Sequence, residues 1–517
     1  MTTDEPRLYF ARWTMLTILS LLACVSDWVC FSVAPIPKAF GEAFPGMHPS
    51  FLVSIFLSTN VLFCFIEPLM VLRYGLRKVV VGGAWLMFIG CILRSGIPGM
   101  MSSNRVLLVL GTIFVGAGQP FFQCTPAMLA AKWFGQNERT LATTIAINAN
   151  QIGIAVSYMA GAYLVHSAVA LHTYLCLITA VSCILLVVTV AFFKESPPTP
   201  PSYSGMLEAA KEVEAQAQIQ ISSGDKAKDG WVEMQTLIKL MRRLLLENGF
   251  CHALVAFAVS IGITNVVSTF LDHLLEHLGF HQHTIGITGA LFQVMIMAGS
   301  VVLGSIVDRT KLYYKATLFC FGMSFIWLLA TSEKRLHASL FVISILFLGF
   351  FVGPIQPITA EIAVEVTYPA DENAIVAVQQ VFGNLFSAFL VPICNTVRSV
   401  HLYELGARGL TRKVRMDYLL LLVLCGLGGG YFSTFRAPLK RLLAETDSKH
   451  GRLPMKLDLA VVSPTAERAS ATSSSTSALT SSPDSLHPTE ESNQRHSRGD
   501  KAMGAARTFV TRMRERT

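Results

Sequence analysis

Gly304-Ser305-Ile306-Val307-Asp308-Arg309-Thr310 closes one apolar block, and Leu72-Arg73-Tyr74-Gly75-Leu76-Arg77-Lys78 closes another far earlier in the chain. Both approximate the pattern G-x-x-x-D-R-x-G-x-R-K, which puts an acid and bases at a tight turn between apolar stretches. Either copy alone reads equally well as basic residues anchoring a loop. The doubling decides the fold, because a charged turn recurring at corresponding places in two series of apolar blocks means two homologous halves in tandem. The first copy departs from the pattern, with Pro68 for the glycine and Leu72 for the acid.

Outward from these turns, the blocks of the first half run Trp13 to Ile36, Phe51 to Leu72, Val79 to Ile97, Val106 to Ala131, Leu141 to Val165 and Leu171 to Phe193. In the second half they run Asn248 to Leu271, Ile285 to Val307, Ala316 to Thr331, Ala338 to Val366, Ala374 to Val397 and Tyr418 to Phe435. Each comes near the roughly 20 residues that a bilayer-spanning helix needs. The expectation is an all-α membrane protein with twelve transmembrane helices in two six-helix pseudo-symmetric bundles, residues 12–193 and 245–436. Around them lie a cytoplasmic N-terminus (1–11), a cytoplasmic linker (194–244) and a disordered cytoplasmic tail (437–517). Pro197, Pro198, Pro200 and Pro201 bar a continuous helix in the linker, where Met206 to Ile219 is patterned as a short amphipathic helix. Ser463 to Ser497 is too rich in Ser, Thr and Pro to bury a core. The first block has no small-x-small cleavage site and reads as a retained helix.

Composition excludes other classes. Hydrophobic residues make up 52% of the chain and charged residues 14%, whereas soluble domains carry about 25% charge. The net charge of +8 falls in short clusters beside the blocks, not on a stripe fit for nucleic acid. Those clusters place the N-terminus in the cytoplasm, with Arg73, Arg77, Lys78, Lys132, Arg139, Lys194, Arg309 and Lys311 inside. The connector Arg398 to Met416 breaks the rule, being outside yet holding Arg408, Arg412, Lys413 and Arg415. The cysteines sit inside apolar blocks without a Cys-x-x-Cys pair and read as reduced, small apolar residues. No Walker motif, G-x-S-x-G elbow or H-E-x-x-H appears, which argues against ATP-driven pumping and membrane hydrolysis. The chain is expected to be no enzyme and to have no cofactor, and no metal ligand is assigned outside the histidine cluster taken up below. The expected partners are a small-molecule substrate and the lipid bilayer, with no nucleic acid, for a multi-pass monomer of the plasma membrane or an endomembrane.

The doubled turn resembles that of the major facilitator superfamily. An acid and a base there latch helix ends on the inner side, which assigns gating to Arg73, Arg77, Asp308 and Arg309. Glu361 and Glu365, near the inner end of the tenth helix, are expected to pair with Arg309 and complete the second gate. Parallel halves imply alternating access with the substrate near the midplane. Gly111, Gly116, Gly118, Pro120 and Pro126 in the fourth block, and Gly349, Gly353, Pro354 and Pro357 in the tenth, permit bending and close approach.

Four stretches are similar to the feline leukaemia virus subgroup C receptor-related family, solute carrier family 49. They are Trp133-Phe134-Gly135 with Asn137-Glu138-Arg139, then Asn150-Gln151-Ile152-Gly153, then Pro197-Pro198-Thr199-Pro200-Pro201-Ser202, and Glu361 to Pro369 with Glu372. The resemblance implies a transporter of haem or of choline/ethanolamine, the alternatives being a pyridoxine-like vitamin transporter or a non-transporting solute receptor. It also implies that Trp28 on the first helix, Gln151 on the fifth and Gln380 on the eleventh line the cavity. A tryptophan face attracts a quaternary ammonium, and mid-span glutamines serve either a cavity or helix packing. Where the family's choline carriers have an aromatic residue on the seventh helix, this chain has Asn265, so half of the aromatic box is missing.

Two ionisable residues lie deep in spans. Asp27, about 22 Å above Arg12 at helical rise, reads either as a counter-charge or coupling site, or as one end of a structural ion pair with Arg94, about 24 Å above Lys78. His273, His277, His281 and His283 lie in the outer connector between the seventh and eighth helices. Their four-residue spacing puts three on one helical face, where they read as a solvated helix end or as a haem or metal ligand set.

Overall fold

The computed structural model describes residues 7–95, 104–135, 138–199, 201, 235, 238–239, 241–332, 337–368, 370, 372–398 and 416–443, apart from the side chains of Leu72, Thr140, His277, Asp308 and Asn373. The described residues fall in one compact unit, Met1–Val462. The Met206 to Ile219 helix, the basic connector before Met416 and the Ser-rich tail lie outside the described residues, as does the side chain of Asp308.

The spans are Ala11–Phe31, Pro49–Tyr74, Leu76–Ser95, Arg105–Trp133, Arg139–Leu164 and Ala168–Phe192, then Phe250–His277, Gln282–Thr310, Tyr313–Ser332, Ala338–Thr367, Glu372–Arg398 and Met416–Phe432. Ten are long and apolar enough to cross a bilayer on length and composition alone. The fifth has 26 residues but carries Thr143, Thr144, Asn148, Asn150 and Gln151, and the twelfth has only 17 residues. No strand occurs among the described residues. A short extra helix, Pro37–Ala43, lies in the first outer connector.

Proline and glycine act where the sequence places them. The fourth span is broken into Arg105–Gly118, Pro120–Gln123 and Pro126–Trp133, and the tenth into Ala338–Val352 and Ile355–Thr367. In both, Pro interrupts the backbone ladder near mid-membrane.

The halves repeat one packing scheme. The first span packs on the fifth and sixth, the third on the fourth and sixth, and the second on the fourth; the seventh packs on the eleventh and twelfth, the ninth on the tenth and twelfth, and the eighth on the tenth. Two seams join the halves: second span to eleventh, and fifth to eighth. Glycine permits the closest approaches. A side-chain carbon on Gly153 would meet the backbone carbonyl of Cys24 on the first span, and one on Gly286 would meet Ala162 and Tyr158 across the seam.

The outer end is tied shut across the halves. Lys38 pairs with Glu276, Gln282 donates to the Pro35 carbonyl, and the Tyr158 hydroxyl donates to the Ser268 carbonyl. Glu276 holds the Lys38 ammonium above its usual range by hydrogen bond and charge. His48 rests its ring 6.5 Å from that of Phe270; partial burial, then the nearby Arg398, hold its imidazole below the usual value.

One domain boundary is corrected. Residues 437–443, assigned to the disordered tail because apolar periodicity stops there, instead dock on the inner face of the second half. Lys440 meets Glu247 at 2.6 Å, Arg441 meets Glu372 at 3.3 Å and Glu361 at 3.6 Å, and the Leu442 N–H donates to Glu365 at 3.0 Å. Ion pairs hold this segment together with the burial of Ala437 and Leu439 against the core.

Candidate midplane site and inner gates

Asp27 is buried on the first span and accepts a hydrogen bond from Gln119 Nε2 at 2.7 Å. Gln119 Oε1 accepts from Asn60 Nδ2 at 2.6 Å, and Asn60 Oδ1 accepts from Asn384 Nδ2 at 2.7 Å. Four buried side chains thus form one continuous chain from the first span through the fourth and second to the eleventh. Its last bond crosses between the halves. Asn60 Oδ1 also accepts from the Cys64 thiol at 3.1 Å, and Gln123 Oε1 receives a longer bond from Asn60 at 3.4 Å. Gln119 sits where the fourth span breaks before Pro120, so the break turns this amide toward Asp27.

Of the two readings of Asp27, the ion pair with Arg94 is not formed among the described residues. Equal depth did not mean a shared face: Arg94 donates to Ser32 Oγ at 2.7 Å and Thr112 Oγ1 at 3.1 Å, inside the first bundle. Trp28 is likewise turned into that bundle. Its indole N–H donates to the Tyr174 hydroxyl at 2.7 Å and the two rings lie 6.3 Å apart, so the residue expected to line the cavity is tied by its ring edge to the sixth span.

Gln151 and Gln380 are half-buried, and each has a buried amide oxygen with no hydrogen-bond partner among the described residues. Gln379 and Gln293 share that property. Gln379 Nε2 donates to the Thr359 carbonyl at 3.3 Å, and Gln293 Nε2 donates to Ser268 Oγ at 2.8 Å. Gln380 lies one turn, about 6 Å, from Asn384 on the same face. Gln151 lies two residues from Gly153, which touches Cys24, one turn from Trp28. Asn265 is half-buried on the seventh span, next to Thr264, whose hydroxyl lies 3.4 Å from Gln356 Nε2 of the tenth. Asn60, Gln119 and Asn384 were missed in the sequence, as was the fully buried Glu67 on the second span. Their only signal was an amide or acid inside an apolar block.

The gate residues are placed differently from expectation. Glu361 and Glu365 face the segment after the twelfth span, through Arg441 and Leu442, while Arg309 is exposed. Of the acids assigned to Arg309, Glu361 pairs with Arg441 of the same half and Glu365 accepts from the Leu442 N–H. In the first half, Arg73 lies over the Tyr74 ring and Arg77 donates to the carbonyls of Phe193 (2.7 Å) and Val190 (3.2 Å). The acid absent at Leu72 is supplied by Glu195, just beyond the sixth span. Its carboxylate accepts from the N–H groups of Leu76 (2.9 Å) and Arg77 (2.6 Å), the start of the third span, and meets Lys132 at 3.0 Å. Anions are favoured at such helix starts.

The histidine cluster does not form one helical face. The seventh span ends at His277 and the eighth begins at Gln282, so the four-residue spacing is interrupted. His283 packs instead on Tyr163 (4.7 Å) and His166 (5.9 Å).

A family model for the Major Facilitator Superfamily matches residues 16–392. The chain belongs to this superfamily. The chain is similar to solute carrier family 49 member A3 of Xenopus tropicalis, with 26% identity covering 85% of this chain and 90% of the relative. It is also similar to the choline/ethanolamine transporter flvcr2a of Danio rerio, with 25% identity covering 75% and 81%. Among solved structures, a partially occluded inward-open xylose transporter XylE of E. coli matches with a TM-score of 0.60 at 12% identity, covering 84% and 99%. This likeness extends to the fold. As a superfamily member the chain is a multi-pass integral membrane transporter of a small organic solute, and its twelve spans in two bundles are those read from the doubled turn. The resemblance to solute carrier family 49 is matched by these relatives.

Proposed function

We propose that this transporter carries a small organic cation of the choline/ethanolamine kind, working as a monomer without a nucleic-acid partner and alternating between outward and inward access. The observation that carries this reading is the chain from Asp27 to Asn384. It joins a deeply buried acid on the first span to the surface along which the halves must slide. A buried ionisable group in a membrane bundle is retained for a purpose, and a cation engaging Asp27 would compete with Gln119 for its oxygen. That loosens the relay toward Asn384 and links occupancy to movement of the halves.

Gln151, Gln380 and Asn265 supply the polar contacts of the same site, and Trp28 positions the first span through Tyr174. Arg73, Arg77 and Glu195 latch the inner end of the first half. In the second half, Glu361 and Glu365 hold the 437–443 segment, and Asp308 with Arg309 forms the matching turn. Uptake of labelled choline and ethanolamine into proteoliposomes tests the reading. The expected result is uptake that falls at least about tenfold in Asp27→Asn, the factor carried by one charge-assisted interaction; unchanged uptake in Asp27→Asn would remove Asp27 from the site.

A further inference from the structure

The amide oxygens around the midplane point to the substrate class more narrowly, on the assumption that the cation reading above holds. The bonds of the chain that starts at Asp27 run in one direction: Gln119 turns its nitrogen toward the Asp27 carboxyl oxygen and its own oxygen away, Asn60 does the same toward Gln119, and Asn384 toward Asn60. The far end, Asn384 Oδ1, is an acceptor. One turn inward is Gln380; its neighbour Gln379, about 100° further round the helix, faces the tenth span. The Thr359 carbonyl fixes the Gln379 nitrogen, so its free end is also the oxygen. Across the halves Gln151, and within the second half Gln293 on the eighth span, each leave a buried oxygen without a donor among the described residues. Buried polar groups are normally satisfied, and groups left over call for an explanation.

The complementary half of the argument concerns aromatic surface. A quaternary ammonium has no N–H to give and is held by ring faces. Here the indole N–H of Trp28 is bonded to Tyr174 and the ring packs beside it, and the seventh span offers Asn265. Among the candidate residues, hydrogen-bond acceptors outnumber aromatic rings.

We infer that the midplane site takes an ammonium that donates hydrogen bonds, an amino alcohol bearing N–H groups, in preference to a quaternary ammonium. A site built to accept hydrogen bonds discriminates strongly against an analogue lacking the donor, because its own polar groups are then left unpaired. The test is a methylation series, ethanolamine, N-methylethanolamine, N,N-dimethylethanolamine and choline, measured as uptake by proteoliposomes and as ligand-induced thermal stabilisation of purified protein. Both readouts are expected to fall with each methyl, choline ending at least about tenfold below ethanolamine, the factor of one charge-assisted hydrogen bond. In Asn265→Tyr, which returns a ring to the seventh span, the choline-to-ethanolamine ratio is expected to rise. Choline equal to or better than ethanolamine in the unmodified protein overturns the inference while leaving the cation reading intact. Uptake of none of the four, in vesicles where the protein moves another solute, overturns the cation reading and this inference with it.

Discussion

Asp27 and Asn384 do not touch, yet replacing both should be non-additive. Three hydrogen bonds of 2.7, 2.6 and 2.7 Å separate them. Interhelical hydrogen bonds in membrane bundles contribute about 0.6 kcal/mol on average and up to about 1.7 kcal/mol. Asn384→Leu removes one bond and leaves Asn60 Oδ1 with the weak Cys64 thiol donor, a loss of about 1 kcal/mol on that scale. Asp27→Asn replaces a pure acceptor by a group that donates as well as accepts, so the amides of Gln119 and Asn60 are free to reverse. Once reversed, Asn60 no longer presents its oxygen to Asn384, and the leucine substitution has less left to remove. Sites in one hydrogen-bond network couple by at least about 0.5 kcal/mol, whereas independent sites add to within about 0.3–0.5 kcal/mol. A double-mutant cycle on the unfolding free energy in mixed micelles, with the four proteins at one concentration, measures the difference. The double variant is expected to be at least about 0.5 kcal/mol less destabilised than the sum of the singles. Additivity to within about 0.3 kcal/mol would show that the amides do not act as one directed chain.

Glu195 gives a pH signature. Burial works to raise its carboxyl, but the Arg77 N–H, Lys132 and the Leu76 N–H outweigh it and hold the group below the ordinary 4.5. A depressed acid contributes stability that is present above its unfolded value and lost as pH falls through the folded one. Melting curves below pH 4.5 should therefore fall more steeply for the unmodified protein than for Glu195→Gln; parallel curves would count against the latch. Gly153→Leu drives a side chain into the Cys24 carbonyl and is expected to abolish a monodisperse peak in size-exclusion chromatography, while Gly322→Ala, with open space around the new carbon, should be neutral or stabilising by up to about 1 kcal/mol. Trp28→Phe keeps a ring but loses the bond to Tyr174, and should lower stability by about 1 kcal/mol with little change in the uptake KM; a tenfold rise in KM would mean that the indole meets the solute.

What the sequence made legible follows from the length scale of each signal. Span-length apolar blocks and a repeated turn are local patterns, so the bundles could be read directly. So could the bends at Pro120 and Pro354. Depth was legible too, because helical rise is fixed: Asp27 and Arg94 do lie deep and buried. Azimuth was not. Which neighbour a face meets depends on packing between segments distant in sequence, and so Arg94 turned to Ser32 and Thr112 while Asp27 turned to Gln119. Glu195 was hidden for a different reason, standing among prolines in a stretch whose composition says linker. The family pattern drew attention to Gln151 and Gln380, and Asn60 and Asn384, which carry the bond between the halves, match no pattern at all.

The tethers that follow the sixth and twelfth spans have opposite polarity. Glu195 binds the base Lys132 at the end of the fourth span, and Arg441 binds the acid Glu361 near the end of the tenth. Because the halves share one packing scheme, each tether has a geometrically equivalent berth on the wrong half. There, Glu195 would confront Glu361, and Arg441 would confront Lys132. Like charges brought together disfavour the mistaken pairing. The sign reversal is thus a chemical difference between two bundles that share one packing scheme.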